Sequence, residues 1–322
     1  MKVHTDFSSY INVKNPVVTV GTFDGVHLGH QKILNRIKKI ASSVSGETVL
    51  LTFHPHPRKV LFNDKTVKLI HTLNEKIKVL EKKELDHLVI YPFTRSFSTY
   101  SAQKYVEELI VNKLKTHTLI VGYDHHFGND RKGNIELLDK LKDKYHYNLE
   151  EISAHEIDEI KVSSTKVRNA IYSGDIHLVP NYTGYPFHFS GIVIKGDGIG
   201  KTINYPTANV SLSSQEKIIP KKGVYAVRCE LKNKKYCNGV MNIGNRPTIG
   251  INQNESIEIH LFDFNENIYG ETLNVDVIRK IREEKKFKNI EALKTQITKD
   301  CIKATQMPVS YTHLRAHETF AN

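Results

Sequence analysis

The hydrophobic pattern of the chain changes near residue 181, and this change restricts the folds that the sequence can adopt. Before it, short apolar runs such as VVTV at 17–20 and TVLLTF at 48–53 alternate with amphipathic segments such as 28–41. Strands that alternate with helices predict a doubly wound parallel sheet, with ligands at the carboxyl ends of its strands. Further strands are predicted at 87–91, 116–122 and 148–152, and further helices at 73–84, 101–114, 132–144 and 164–173.

The second part of the chain has the pattern of an antiparallel β domain. Glycine, proline, asparagine and tyrosine interrupt residues 173–191, as is typical of a linker. Short segments such as FSGIVI, GVYAVRCEL and SIEIHLFDF then follow between turn residues, which predicts an antiparallel barrel or sandwich. A closing helix is predicted at 289–304. We therefore divide the chain into domains at 1–181 and 182–307.

Residues 308–322 lack the lysine-rich composition and the periodicity of the chain before them. Their sequence VSYTHLRAHET resembles translated read-through of a sequencing adapter, so we treat 308–322 as an extraneous tail and exclude it from the fold. A genuine irregular terminus is the alternative.

Composition limits the class of protein more than its chemistry. The 322 residues carry a formal net charge of +11, and no apolar run approaches the ~18 residues of a membrane span. The N-terminus lacks the apolar core of a signal peptide, and the three cysteines have no metal-binding spacing, which favours a reducing cytoplasm. The positive charge permits nucleic-acid binding, but many lysines lie in amphipathic runs such as NRIKKI. We expect neither nucleic-acid nor membrane partners.

The segment GTFDGVHLGH, residues 21–30, joins the first long strand to its helix. The first N–H groups of a helix are unsatisfied and its dipole is positive there, so this junction can bind phosphate. Gly21 and Gly25 allow a tight turn and close approach of a ligand. His27 and His30 share one face of the first turn and can donate hydrogen bonds to a triphosphate. A structural or metal-binding histidine pair is the alternative.

A second element for this site is SSTKVR at 163–168. Its hydroxyl groups open a predicted helix, and Arg168 lies one turn later, where its planar guanidinium can hold phosphate oxygens. A simple helix cap is the alternative reading of the hydroxyl groups.

HLGH resembles the HxGH signature of the nucleotidylyltransferase superfamily. The longer GTFDGVHLGHQ resembles the adenylyltransferase module of bacterial bifunctional riboflavin kinase/FAD synthetases, and TFHPHPRKVL, VGYDHHFGNDRKGN and VSSTKVRNAI resemble further segments of it. The resemblance implies a Rossmann-like nucleotidylyltransferase domain. It implies catalytic roles for His27, His30 and Arg168, nucleotide or phosphate binding by Gly21, Phe23, Asp24, Gly25, Ser164 and Thr165, and flavin binding by Asp124 and Phe127.

The stretch KGDGIGKTINYPTANV, residues 195–210, contains the second candidate site. Its glycines loosen a turn between two strands. Thr207 and Asn209 lie two residues apart, so on an extended chain both side chains face the same way. Their neutral oxygens suit Mg²⁺, which prefers oxygen ligands and retains substrate phosphates. An ordinary glycine-rich turn is the alternative.

GKTINYPTANV resembles the GRxLGFPTANL signature of riboflavin kinases, and residues 257–287 resemble a later family segment. The resemblance implies a β-barrel kinase domain in which Thr207 and Asn209 hold Mg²⁺ and Glu258 is the general base. Phosphate contacts are implied for Gly196, Gly198, Gly200 and Lys201. Three residues depart from the signature: Lys201 stands for arginine, Asn204 for glycine and Tyr205 for phenylalanine.

Residues 257–261 alternate between apolar and polar side chains, which puts Glu258 and His260 on the same side of a strand. We expect this side to face inward, where a carboxylate is a reasonable general base. An exposed strand face that carries Glu and His is the alternative.

Together the two resemblances imply one enzyme with two reactions. It phosphorylates riboflavin to FMN with ATP, then adenylylates FMN to FAD and releases pyrophosphate. Its partners would be riboflavin, FMN and ATP with Mg²⁺, and the chain would act as a monomer or weak homo-oligomer. A riboflavin kinase with an inactive first domain is the alternative, although intact HLGH and SSTKVR argue against it. A nucleic-acid-binding protein is favoured by charge alone.

Overall fold

The computed structural model describes residues 1–62, 67–153, 156, 162–196, 198–245 and 255–307. The chain divides into two compact units, one up to Ser164 and one from Thr165 onward. The predicted tail at 308–322 lies outside the described residues.

The described strands of the first unit form a six-stranded parallel sheet in the order β1-β4-β3-β2-β5-β6. The strands are β1 (Lys2–His4), β2 (Val17–Val20), β3 (Thr48–His54), β4 (His87–Pro92), β5 (Thr118–Gly122) and β6 (Asn148–Ile152). From β2 the chain builds outward through β3 and β4, then returns to add β5 on the other side. The strand order therefore reverses between β2 and β5, where open α/β sheets bind ligands.

Helices connect these strands, and the predicted helical segments overlap α1 (Leu28–Ser43), α3 (Leu73–Glu81), α5 (Ala102–Tyr105) and α6 (Ile135–Tyr145). Two short helices, α2 (Pro57–Phe62) and α4 (Arg95–Ser98), were not predicted. A π-helix at Val106–Lys113 continues α5. The doubly wound architecture is confirmed. Strand β1 was not predicted, since a strand of three residues gives too short a pattern to be recognised.

Burial explains why these segments form their elements. All four residues of β2 are buried, as in a parallel strand covered by helices on both faces. Helix α1 buries Leu34, Ile37 and Ala41 on one stripe, while its lysines remain toward solvent. Helix α3 begins with a capping box, in which the Thr72 hydroxyl accepts from the Glu75 N–H and the Glu75 carboxylate accepts from the Thr72 N–H.

The second unit contains a closed antiparallel barrel, in the order β10-β11-β8-β7-β12-β9. Its described strands are β7 (Phe187–Ile194), β8 (Ala208–Leu212), β9 (Gly223–Glu230), β10 (Tyr236–Asn245), β11 (Glu255–Leu261) and β12 (Thr272–Arg282). The burial of β7 alternates along the strand, since one face fills the barrel and the other faces outward. The hydrophobic pattern alone left barrel and sandwich open, and the barrel that the family resemblance implies is confirmed.

The remaining helices of the described chain are α7 (Ser164–Ser173), α8 (Val179–Thr183), α9 (Ile199–Thr202) and α10 (Ile290–Thr305). Helix α10 closes the barrel, as predicted for 289–304. The carboxylate of Asp300, which is 1% exposed, accepts hydrogen bonds from the Arg282 guanidinium on β12. This buried ion pair fixes the helix to the barrel wall.

Contacts group residues 165–181 with the second unit, whereas we placed them in the first domain. The boundary at 181/182 stays a prediction.

Candidate active sites

The loop between β2 and α1 adopts a backbone conformation that few residues tolerate. Phe23 has a φ of 47° and Val26 a φ of 33°, both in the left-handed region. Gly25, at a φ of 84°, lies so close to Ile70 that an added Cβ would be 2.8 Å from its Cδ1 atom. Such strained residues persist only where their surroundings hold them in place.

His27 and His30 form one stacked unit at the start of α1. His27 is the N-cap residue, and its Nδ1 accepts a hydrogen bond from the His30 N–H at 3.3 Å. In the neutral ring the proton then lies on Nε2. The two rings are 3.7 Å apart, and Phe23 stacks on His30 from 4.5 Å. The spacing therefore brings the imidazoles together as the sequence predicts.

The environment of His30 determines the charge of its ring. Burial lowers the pKa of His30 well below its ordinary value, and His27 and Lys76 lower it further. His30 is therefore neutral near pH 7 when no anion is bound. Its buried Nδ1 atom has no hydrogen-bond partner in the described structure.

Asp24 has a different position from the other residues of this loop. Its side chain is 2% exposed, and its carboxylate accepts from the backbone N–H groups of Ile70, at 3.0 Å, and His71, at 3.2 Å. Neither Asp24 nor Gly25 lines the cavity described next. Both residues belong to the loop but lie away from this cavity, and Asp24 joins the loop to residues 70 and 71.

A cavity of about 1180 Å³ opens beside this loop at the carboxyl ends of the strands. The predicted residues that line it are Gly21, Phe23, His27, His30, Asp124, Phe127 and Ser164. One wall is aromatic and comprises Phe53, Phe93, Phe97, Tyr100, Tyr105 and Phe127. The cavity thus joins the loop between β2 and α1 to an aromatic surface that suits a flat ring system.

The segment after β5 supplies the other side of the cavity. Phe127 is buried and packs on Tyr105 with ring centroids 5.0 Å apart, while Asp124 is exposed at the rim. Burial lowers the pKa of the intervening His125 to about 4, although the nearby Asp124 charge opposes the shift. His125 is consequently a neutral polar group in a largely aromatic wall.

Of the segment SSTKVR at 163–168, the two serines line this cavity. The Ser164 hydroxyl donates to the Asp24 carbonyl oxygen at 2.8 Å and lines the cavity. Thr165 and Arg168 follow on α7, within the second unit. Their roles at the first site remain predictions.

Lys76 is a residue of this site that the sequence analysis missed. It is 7% exposed, and its Nζ donates to the Thr22 carbonyl oxygen at 2.6 Å and approaches the Thr52 hydroxyl at 3.4 Å. Burial lowers its pKa to about 8, against the opposing effect of Asp24. The available signal was its place on the same helical face as Val79 and Leu80, where a lysine is unusual.

The second site lies on the barrel where β8 and β11 pair. Asn209 and Glu258 are direct cross-strand partners. The Thr207 hydroxyl donates to the Glu258 carboxylate at 3.4 Å. A Cβ on Gly196 would overlap the Asn209 amide, so the glycine loop lies directly against this group. The predicted metal ligands, base and loop are therefore brought together.

A smaller cavity of about 300 Å³ adjoins these residues. Lys201, Pro206 and Thr207 line one side, and residues 264–269 line the other. Gly198, at a φ of 74°, begins the short helix α9 that carries Lys201. The pocket therefore has a mixed lining, in which polar groups meet the buried barrel residues Val193, Ile259 and Leu261.

Two departures from the kinase signature have a structural explanation. Asn204 has a φ of 62°, a left-handed conformation in which glycine is favoured and asparagine is the best-tolerated substitute. The hydroxyl that Tyr205 adds to phenylalanine forms a hydrogen bond of 2.8 Å with the Thr298 hydroxyl on α10. Nothing in the described contacts explains the third departure, Lys201.

The expectation that Glu258 faces inward is wrong. Ile257, Ile259 and Leu261 are buried, so Glu258 and His260 lie on the opposite, half-buried face of β11. The period of a strand alternates the two faces, and the barrel interior takes the apolar one. His260 contacts the Pro206 carbonyl oxygen through Nδ1 at 2.8 Å and thereby supports the signature loop.

In the described part of the chain, no group of three or more His, Cys, Asp or Glu side chains is placed to hold a metal ion. Among the same residues, no helix combines the length and apolar character that crossing a membrane requires.

Comparison with known proteins identifies both parts of the chain. The FAD synthetase family model matches residues 11–166, and the riboflavin kinase family model matches residues 183–308. A bifunctional riboflavin kinase/FMN adenylyltransferase from Haemophilus influenzae is 38% identical over 88% of this chain and 91% of that protein. The protein of the same description from Bacillus subtilis is also 38% identical, over 88% of this chain and 90% of its own length.

One solved structure has a similar fold along most of the chain. It is described as a macrolide-efflux protein from Streptococcus pneumoniae, with a TM-score of 0.85, 26% identity, and coverage of 95% of this chain and 99% of that one. That description names an activity of a different kind, and we take only the fold from this likeness.

Proposed function

Because the chain belongs to the bifunctional riboflavin kinase/FMN adenylyltransferase family, we propose that it performs the two reactions of the family at the two sites described above. The protein phosphorylates riboflavin to FMN with ATP, and it adenylylates FMN with a second ATP to give FAD and pyrophosphate. The observation that carries the assignment of sites is the presence of both motifs, each beside a cavity of suitable chemistry.

For adenylyl transfer, we assign FMN and ATP to the larger cavity. An FMN phosphate oxygen attacks the α-phosphorus of ATP, and the bond to the β-phosphate oxygen breaks as pyrophosphate leaves. The attacking phosphate is already an anion, so the site needs charge stabilisation more than a base. His27, His30 and the start of α1 would donate to the triphosphate, with Ser164, Thr165 and Arg168 as further phosphate ligands. The aromatic wall near Phe127 would hold the flavin ring.

For phosphorylation, we assign MgATP to the pocket on the barrel. Glu258 would accept the proton of the riboflavin ribityl hydroxyl as that oxygen bonds to the γ-phosphorus and ADP leaves. Thr207 and Asn209 fit Mg²⁺, because both offer neutral oxygens under the glycine loop beside a carboxylate. When bound, the ion would neutralise phosphate charge. Lys201 and the loop at 196–200 would contact the phosphates.

The test of the two activities is direct. The full chain is incubated with riboflavin and MgATP, and the flavins are separated by chromatography over time. We expect FMN to appear first and FAD to follow. Accumulation of FMN without FAD would indicate the alternative, a riboflavin kinase with an inactive first domain, which neither the family matches nor the intact HLGH favours.

The domain boundary needs its own experiment. Fragments 182–307 and 165–307 are compared with the full chain for the conversion of riboflavin to FMN. If the boundary at 181/182 is correct, both fragments should be active and neither should make FAD. Activity of the longer fragment alone would move the boundary toward residue 165.

The remaining parts of the proposal concern the setting. We place the enzyme in the cytoplasm, because its free cysteines, two of which are buried, behave as ordinary apolar residues. We expect small-molecule partners only and a monomer or weak homo-oligomer. Sedimentation at micromolar concentration, with and without ATP, tests the oligomeric state.

A further inference from the structure

Lys76 is a buried lysine, 7% exposed, and the free energy lost in desolvating its ammonium group must be offset by its interactions. An ammonium group loses hydration when it is buried, so lysine is seldom found inside a domain unless it forms hydrogen bonds or an ion pair there. Its Nζ contacts the Thr22 carbonyl at 2.6 Å and the Thr52 hydroxyl at 3.4 Å. Thr52 Oγ1 itself donates to the same Thr22 carbonyl at 3.1 Å. The lysine thus contacts the backbone of the loop at 21–27, to which we assign the ATP phosphates and which we call the phosphate loop.

The phosphate loop and the segment 70–76 are joined in both directions. From the loop, the Asp24 carboxylate accepts from the N–H groups of Ile70 and His71. In return, Lys76 on α3 donates to the loop at Thr22, next to the left-handed Phe23. The capping box at Thr72 fixes the start of α3 and so the position of Lys76. These ties hold a strained loop in a single conformation.

We propose that Lys76 is a positioning residue for adenylyl transfer, which holds the Thr22 carbonyl so that the loop presents Gly21, His27 and His30 to the triphosphate. The proposal rests on the assignment of FAD synthesis to the first site. It does not place Lys76 against the substrate. Lys76 acts through the loop, and it does so best in its protonated form, because a charged N–H donates a stronger hydrogen bond than the N–H of a neutral amine.

Among the described residues, Asp24 and His30 interact electrostatically with Lys76. Asp24 in the loop favours the ammonium form, whereas burial disfavours it and brings its pKa to about 8. His30 on α1 is neutral, and the Lys76 charge contributes to that neutrality. The positioning should therefore be complete below pH 8 and should weaken as the pH rises through that value.

The experiment uses the full chain and three variants, with FMN to FAD and riboflavin to FMN measured on each preparation. Lys76→Met removes charge and donor but retains volume, and Thr22 keeps its bond from Thr52. We expect kcat for FAD formation to fall ~10-fold or more, as misplacement of a site by about 1 Å can cost ~10²-fold. KM for FMN, kinase activity and thermal stability should be retained. Lys78→Met is the matched control, since Lys78 is exposed on the same helix.

The pH profile separates positioning from a purely structural role. Wild type and Lys78→Met should lose FAD formation above pH 8, whereas Lys76→Met should show no such decline. Lys76→Arg keeps a donor that stays charged, so its activity should persist above pH 8; this variant decides the matter if Lys76→Met does not fold.

Two results would overturn the inference: equal FAD formation in Lys76→Met and Lys78→Met, or an unchanged alkaline decline in Lys76→Arg. A wild-type chain that makes FMN but never FAD would instead refute the proposed function, and the inference would fall with it.

Discussion

The two sites differ in how the protein holds them. The first is built from loops at the end of a parallel sheet and depends on buried polar groups, among them Asp24 at 2% and Lys76 at 7% exposure. The second lies on the outer face of a closed barrel, where Glu258 and His260 are half-buried and the apolar side of the same strand forms the core. The buried polar groups of the first site lie inside its unit, whereas the Glu258 carboxylate and the His260 ring of the second site lie on the outward face of a barrel strand.

This difference determines what a substitution can reveal. A barrel wall keeps its shape when an outward side chain changes, because the strand is held by its ladder and its inward face. A loop held by buried ion and hydrogen-bond contacts transmits a change to its neighbours. We therefore expect clean losses of chemistry at the second site, and coupled effects of activity and pH at the first.

The largest effect should come from Glu258→Gln, which tests whether the barrel site is as separable as the structure suggests. Glutamine keeps the size and hydrogen bonding of the side chain but cannot accept the hydroxyl proton. We expect riboflavin phosphorylation to fall by ~10²–10⁴-fold, with no change in FMN adenylylation. A near wild-type kinase rate would remove Glu258 from the mechanism, and loss of both reactions would indicate damage to the fold.

Replacement of the stacked histidines is the corresponding test of the first site. His30→Asn retains a donor but removes the ring that packs on His27 and Phe23. We expect FAD formation to drop by ~10²-fold, typical of a lost charge-stabilising donor, while the kinase is unaffected. His27→Asn should behave similarly. Stoichiometric zinc in the wild type that is lost in either variant would favour a metal-binding pair instead.

Acid stability should distinguish the buried cavity from the barrel. The pKa of His125 is about 4 in the folded chain and ~6.5 when unfolded, so the unfolded state binds the proton more tightly. The stability linked to its neutral form is therefore complete above pH 6.5 and is lost as the pH falls toward 4, by about 1–3 kcal/mol.

Hydrogen exchange across residues 118–128 at pH 7 and pH 4.5 measures that loss. His125→Asn should reduce the difference in protection between the two pH values, whereas His126→Asn, at the exposed neighbouring position, should leave it unchanged. An equal effect of both variants would show that another group controls the acid response.

The smallest effect should come from Tyr205→Phe, which restores the residue of the kinase signature. It removes the hydrogen bond to Thr298 on α10, an exposed contact of about 0.5–1.5 kcal/mol. We expect KM for MgATP to rise by a few-fold with little change in kcat. Thr298→Val should match it, and the double variant should show no further loss. Additive effects would mean that the two residues act separately.

Much of both sites could be predicted because the relevant spacing is local. His27 and His30 face one way because three residues make almost one helical turn, and Thr207 and Asn209 because two residues make one strand period. The same local logic predicted strands β2 to β6 and the longer helices of the first unit, but not β1, α2 or α4, which are too short to show a period. Strand alternation also predicted that Glu258 and His260 share one face. It could not tell which face points into the barrel, because that depends on the core, and the expectation of an inward Glu258 was wrong.

The sequence by itself determined the order of the two folds and, through the resemblance of its motifs to a known family, the two reactions and the candidate site residues, since each motif is contiguous. Only the tertiary structure decided which groups hold those motifs in place. The contact of Lys76 with Thr22 joins residues more than fifty positions apart, and that of Tyr205 with Thr298 more than ninety. Such pairs have no sequence period, because packing rather than chain geometry brings them together. For this reason the sequence pattern did not predict that Lys76 is buried, and its position became known only from the tertiary structure.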